Sequence, residues 1–159
     1  MATRQKGIPE NSSVVMPRLF VRDVSAEIEF CKRTFEAVAL GSRPGPDGKP
    51  MHALLTIGPA MIMLEAERPE VATRPPQLDG SSPVVIFVYV PDVDAALAAA
   101  VANGGKILVP VADHFWGDRL GWVMDPEGHV WTIASRIEET TEEERAARWS
   151  SILAESSKK

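Results

Sequence analysis

Three histidines, one cysteine and a scatter of carboxylates are the groups from which this chain can build reactive chemistry. The spacing of His52, His114 and His129 matches no zinc motif. One pairing carries more. If residues 51–57 and 61–65 are two strands turning on Gly58-Pro59, then Thr56 faces Met61, Leu54 faces Met63 and His52 faces Glu65. Directly opposed side chains lie about 4.5–5.5 Å apart at Cβ. A carboxylate at that distance favours the imidazolium, so His52 and Glu65 are candidate catalytic residues for proton transfer. The same geometry also suits an ion pair at a rim that merely orients its neighbours.

Other groups are weaker candidates. Asp118-Arg119 can clamp a carboxylate, since arginine binds carboxylates bidentately, or it can hold its own loop. His129 follows a Pro-Glu-Gly turn and is expected at a strand entrance, and His114 in a solvated loop. Cys31 falls on the apolar stripe of a helix and is expected to be inert. No glycine-rich phosphate loop, Ser-His-Asp ordering or dinucleotide fingerprint is present.

The elements that must position these residues are readable from the pattern. The 159 residues are 45% hydrophobic and 25% charged, the balance of one globular domain. The longest apolar run, Val84 to Val90, is far short of the roughly 20 residues a membrane helix needs. The polar start of the chain carries no signal-peptide pattern. Net charge is −5 and no Lys/Arg cluster appears, so neither a nucleic acid nor a membrane is expected as a partner. With a single cysteine, the expected location is cytoplasmic.

Residues 1–13 read as a loose tail, and Val14 to Arg22 as a strand with Pro17 marking an edge or bulge. Ser25 is the expected cap of a helix to about Ala37, with Ile28, Cys31 and Phe35 on its buried face. Residues 42–50 are turn residues throughout. After a proline-bearing linker over 67–82, the order restarts: a strand at Val84–Val90, then a helix capped by Asp92 or Asp94 and ended by Asn103-Gly104-Gly105. Strands follow at 106–111, 121–124 and 130–135. Val21-Arg22-Asp23-Val24 and Val90-Pro91-Asp92-Val93 repeat at an offset of 69. The expected division is therefore 14–66, linker 67–82, 83–137, and a C-terminal helix and tail over 138–159. Thr141-Glu142-Glu143-Glu144 has capping-box form, and Ala146, Trp149 and Leu153 form an apolar stripe that needs a partner.

A strand–helix–three-strand unit used twice, with Val-x-Asp-Val opening each helix, resembles the vicinal oxygen chelate superfamily of glyoxalase I, extradiol dioxygenases and bleomycin-resistance proteins. Phe115-Trp116-Gly117-Asp118-Arg119 and Asp125-Pro126-Glu127-Gly128-His129-Val130-Trp131 resemble its PhnB-like branch, as does Pro46-Asp47-Gly48-Lys49 before Met51-His52-Ala53. The resemblance implies an α+β fold of tandem βαβββ modules, a mixed sheet curled around a cavity, with the extra C-terminal helix. It also implies a homodimer, for which Trp149 supplies an apolar surface. The metal enzymes of the superfamily place His, Gln or Glu on the first and fourth strands of each module. Those positions carry over to Met16, Glu65, Val85 and Thr132, and only Glu65 is a good ligand. No metal and no cofactor are therefore expected.

Strand parity then assigns the cavity wall. Met16, Arg18, Phe20, His52, Met63 and Glu65 line it from the first half, and Phe87, Tyr89, Trp122 and Thr132 from the second. Arg119 is expected at its mouth, and Trp116 is a further expected ligand-binding residue. This is a ligand-binding profile, unless the side chains themselves fill the space. The resemblance implies binding or sequestration of a small, partly apolar molecule. The alternatives are a metal-dependent lyase, isomerase or dioxygenase of the glyoxalase type, or a metal-free acid–base enzyme using His52 and Glu65.

Overall fold

The computed structural model describes residues 7–71 and 73–158. Residues 1–6 of the expected tail lie outside the described residues. Ser13 is tied down, its hydroxyl accepting from the Met61 amide at 3.2 Å.

Eight strands and three helices run in the order β1 (Arg18–Val21), α1 (Val24–Phe35), β2 (Val38–Pro44), β3 (Pro50–Ile57), β4 (Ala60–Ala66), β5 (Val85–Tyr89), α2 (Val93–Ala102), β6 (Lys106–Asp113), β7 (Asp118–Met124), β8 (Val130–Arg136) and α3 (Glu142–Ser156). They form two four-stranded mixed sheets, ordered β1-β4-β3-β2 and β5-β8-β7-β6. In each, the first strand pairs parallel to the fourth and the other pairs are antiparallel. The fold is α+β, and the two sheets are not closed into a barrel: β1 and β5 remain edge strands.

The repeated aspartate explains why both helices start where they do. Asp23 and Asp92 are extended residues whose carboxylates accept from the Ala26 and Ala95 amides, each at 3.0 Å. Each satisfies one of the amides orphaned at a helix start, worth about 1 kcal/mol. Asp23, not the expected Ser25, is thus the first cap. The buried stripe of α1 is Val24, Glu27, Phe30, Cys31, Thr34 and Phe35, with Ile28 only partly covered. The stripe keeps Cys31 and Phe35 of the expected face and runs through Glu27 and Phe30 where Ile28 is expected. β2 extends into the expected turn at 42–50 and leaves a turn only over 45–49. All seven residues of β2 are exposed, so backbone pairing to β3 alone holds this edge strand and no alternation of apolar residues marks it.

One continuous core joins both halves. Leu19, Val21, Leu55 and Leu64 of the first sheet and Val123, Trp131 and Ile133 of the second pack with Phe30, Phe35, Val93 and Leu97 of the helices. Phe35 and Trp131 meet with ring centroids 4.6 Å apart. The residues alternating with these on each strand point to the opposite face. α3 starts with the expected capping box at Thr141 and Glu144 but buries none of its residues. Trp149 stacks on Phe115 with centroids 5.5 Å apart and stays 48% exposed, so the burial that its stripe calls for is unmet within one chain. Among the described residues, no helix is long and apolar enough to cross a membrane.

Candidate functional site

The hairpin register follows the Gly58-Pro59 turn as read from sequence: His52 opposes Glu65, Leu54 opposes Met63 and Thr56 opposes Met61. β1 adds Arg18 beside Met63 and Phe20 beside Glu65. These residues share the face of the first sheet that points away from the helices. In the second sheet Trp122 opposes Thr132, with Phe87 beside Thr132 and Tyr89 beside Ala134. They share the corresponding face there. Thr132 is buried, whereas Phe87, Tyr89 and Trp122 are 49%, 55% and 37% exposed.

Glu65 is buried, and its partners differ from those expected. Its carboxylate is ion-paired to Arg18, whose Nε lies 2.6 Å from Oε2, and to Arg68. No hydrogen bond joins it to His52. The opposed register brings the Cβ atoms together, but two guanidinium groups satisfy the carboxylate first. A buried carboxylate must be paired to avoid a desolvation cost of several kcal/mol, and bidentate-capable arginines out-compete an imidazole for it. The His52–Glu65 couple is therefore a register neighbour and not a bonded acid–base pair.

Arg119 requires a second correction. It lies on the helix-side face, its guanidinium taken up by Asp94 of α2 (2.9 and 3.0 Å) and by Asp113 (2.8 Å). Adjacent strand residues point to opposite faces, so Asp118 cannot share a site with Arg119. Asp118 instead faces Arg136 across the ladder, with Arg136 Nε 2.9 Å from Oδ1. Its Oδ2 accepts from the Tyr89 hydroxyl and the Trp116 indole, each at 2.8 Å. Trp116 and Tyr89 are thus brought together through a carboxylate that is only 1% exposed.

A cleft of about 900 Å³ opens where β1 and β5 approach each other. Met16, Arg18 and Phe20 line it from the first half, and Val85, Phe87 and Val130 from the second. Of the expected wall residues, Met16, Arg18, Phe20 and Phe87 reach it. His52, Met63, Glu65, Tyr89, Trp122, Thr132 and Trp116 lie outside its lining, as does Arg119. Residues 74–77 and 81–82 of the linker supply a wall that strand periodicity could not reveal. His129 is at the entrance of β8 as expected, and it also lines the cleft. Its Nε2 lies 2.8 Å from the Phe20 carbonyl oxygen, which can only accept, so Nε2 carries the proton and ties the two halves together.

Behind the cleft lies a buried acidic cluster that the sequence signals only as a glutamate on an apolar stripe. Asp125 accepts from the Glu127 and His129 amides, each at 2.9 Å, and from the Trp131 indole at 2.8 Å. Glu127 accepts from the Arg22 and Asp23 amides. Burial and then the Asp125 carboxylate push the Glu27 carboxyl well above its usual range. Burial likewise pushes the Cys31 thiol up, with Glu27 adding to it, in keeping with an unreactive cysteine.

The family model described as the Glyoxalase/Bleomycin resistance protein/Dioxygenase superfamily matches residues 13–133. The chain belongs to this superfamily. It is 38% identical over 138 residues to the uncharacterized protein Rv0887c of Mycobacterium tuberculosis, covering 85% of this chain and 81% of that one. It is equally identical to the uncharacterized protein Mb0911c of Mycobacterium bovis, over 85% of this chain and 91% of the relative. Among solved structures, TioX from Micromonospora sp. ML1 superposes with a TM-score of 0.61 at 28% identity, over 79% of this chain and 99% of TioX. The fosfomycin resistance protein FosX from Listeria monocytogenes superposes with a TM-score of 0.60 at 19% identity, over 84% of this chain and 98% of FosX, which shows the shared fold.

The metal site of the superfamily's enzymes does not fit the residues present. Of the four carried-over positions, Val85 offers no lone pair, Met16 is a soft thioether, Thr132 is a hydroxyl, and Glu65 is already shared by two arginines. Among the described residues, no group of three or more His, Cys, Asp or Glu can hold a metal ion.

Proposed function

We propose that this protein binds a small, partly apolar molecule in the cleft between β1 and β5, without a metal, and thereby sequesters or carries it. The observation that carries this reading is the cleft itself: about 900 Å³, walled by both halves of the chain and by Val, Met, Phe and Pro side chains. That volume falls within the roughly 300–1,000 Å³ of small-molecule sites. The ion-pairing of Glu65 to Arg18 and Arg68 favours binding over acid–base catalysis by His52 and Glu65. We take residues 14–66 and 83–137 as the two modules, joined by a linker that closes one side of the site. The motifs at 115–119 and 125–131 support placement in the PhnB-like branch.

The working unit of this reading is a homodimer. Its support is apolar surface that one chain leaves open: Trp149, Ile152 and Leu153 on α3, and Phe87, Tyr89 and Trp122 on the second sheet.

The test of the cleft uses N-phenyl-1-naphthylamine, a neutral apolar dye that fluoresces on leaving water. The expected result is saturable binding of one dye per chain, abolished by Val85→Trp, which fills the cleft from β5. Absence of saturable binding, or binding untouched by Val85→Trp, overturns the reading.

A further inference from the structure

The charged side chains that line the cleft are opposite in sign to the net charge of the chain. The protein carries a net −5, yet among the described residues no Asp or Glu lines the cleft, while Arg18 and Arg74 both do. Two buried carboxylates bond to lining residues: Asp125 accepts from the His129 amide and is also held by the Glu127 amide and the Trp131 indole, and Glu65 pairs with Arg18. Glu65 is shared between Arg18 and Arg68, so two guanidinium groups meet that one carboxylate, and Arg74 adds another positive charge on the cleft wall. Asp79 lies on the linker between lining residues Gln77 and Ser81, and it is turned into its own loop, accepting from the Ser81 hydroxyl at 2.6 Å and amide at 2.9 Å.

The two lining arginines also have unused donors. Arg18 spends Nε and Nη2 on Glu65 and lies over the Phe20 ring, 5.2 Å from its centroid. Its Nη1 donates to no described residue. Arg74 makes no hydrogen bond or ion pair with any described residue. Glu65 and Phe20 hold Arg18 in place, which lowers the entropy cost of using its free edge on a ligand. The apolar part of the wall includes Met16, Phe20, Val85, Phe87 and prolines of the linker, and Gln77, Ser81, Ser82 and His129 are its further polar part.

We infer that the cleft selects an apolar molecule bearing an anionic group, such as a carboxylate or sulfonate, with the anion at Arg18 and Arg74 and the apolar body along Phe20, Val85 and Phe87. The inference rests on the cleft being the ligand site and adds the sign of the ligand's charge. A neutral apolar ligand leaves both guanidinium edges without an acceptor. A cationic one meets like charge in a site partly withdrawn from water, where screening is weaker than in bulk.

The experiment compares two dyes with the same anilinonaphthalene skeleton, 1-anilinonaphthalene-8-sulfonate and the neutral N-phenyl-1-naphthylamine. Both are titrated into wild type, Arg74→Gln and the cleft-filling Val85→Trp, at about 0.02 M and 0.5 M salt, where the Debye length falls from above to below 10 Å. Apolar transfer alone favours the neutral dye. The expected result is the reverse: the sulfonate binds about tenfold more tightly at low salt, one per chain. That preference drops at least threefold in Arg74→Gln and at high salt, the sulfonate losing more affinity than the neutral dye. Val85→Trp abolishes both, which separates cleft binding from dye adsorbed on other apolar surface. Equal or tighter binding of the neutral dye, with the sulfonate indifferent to Arg74→Gln, overturns the inference and leaves the cleft reading standing. Saturable binding of neither dye overturns both.

Discussion

Replacing Glu27 with glutamine removes a proton that folding forces the protein to hold. Glu27 is 1% exposed, and its Oε2 has no hydrogen-bond donor. Oε1 faces the Cys31 thiol at 3.6 Å, and Asp125 is the carboxylate beside it. Asp125 accepts N–H bonds on both of its oxygens, whereas the Glu27 carboxyl accepts none from the described residues, and burial with the Asp125 carboxylate keeps the proton on Glu27. In the unfolded chain Glu27 ionises near its ordinary value, whereas in the folded chain burial and Asp125 hold it protonated to higher pH. The folded state thus binds more protons than the unfolded state across that window. Stability from this group is complete below the unfolded-state pKa and falls as pH rises towards the folded-state one. The slope is about 1.4 kcal/mol per pH unit, a large share of a typical total of about 5–15 kcal/mol. The amide of Glu27→Gln can donate to Asp125 and accept from Cys31 without taking up a proton. Urea unfolding of wild type and variant at pH 5, 6, 7 and 8 is the assay. The variant is expected to match wild type near pH 5 and to gain on it by up to about 1.4 kcal/mol for each further unit within the window. A wild type–variant difference that stays constant from pH 5 to 8 would refute the retention of a proton on Glu27.

Asp118→Ala strands the Tyr89 hydroxyl, the Trp116 indole and the Arg136 guanidinium, and is expected to cost about 3–5 kcal/mol. Urea midpoints measure the loss, and a red shift of tryptophan emission accompanies it as Trp116 gains water; a cost under about 1 kcal/mol contradicts the assigned network. Trp149→Glu places a charge on the open stripe of α3, where Trp149 is 48% exposed and no helix residue is buried. Light scattering is expected to give a dimer for wild type and a single-chain mass for the variant, with the monomer's thermal midpoint little changed; a wild-type protein that scatters as one chain removes the dimer.

Several features were legible because their causes are local. The repeated Val-x-Asp-Val marks both helix starts, since an N-cap needs only a short side chain and an amide three residues on. The strand-face assignments for His52, Glu65, Trp122 and Thr132 held because a period of two and a tight turn leave little freedom of register. The cap at Asp23 in place of the expected Ser25 and the extra length of β2 escape a sequence reading for the converse reason: a serine two residues after an aspartate is as able to cap, and an edge strand held by backbone bonds carries no side-chain signature.

What chain folding added is the choice of partner. Glu65 has His52 opposite by register, but its carboxylate goes to Arg18, 47 residues earlier, and to Arg68, just beyond the strand end. Arg119 follows Asp118 in the chain and is nevertheless consumed by α2 on the other face. Glu27 faces Asp125 across the join of the two halves, and the cleft takes a wall from a proline-bearing linker with no periodicity to read. Charge pairing and cavity shape depend on which groups converge in space, with energies set by burial and competing donors. Local spacing therefore specified which face each side chain occupies, and three-dimensional packing specified what it meets there.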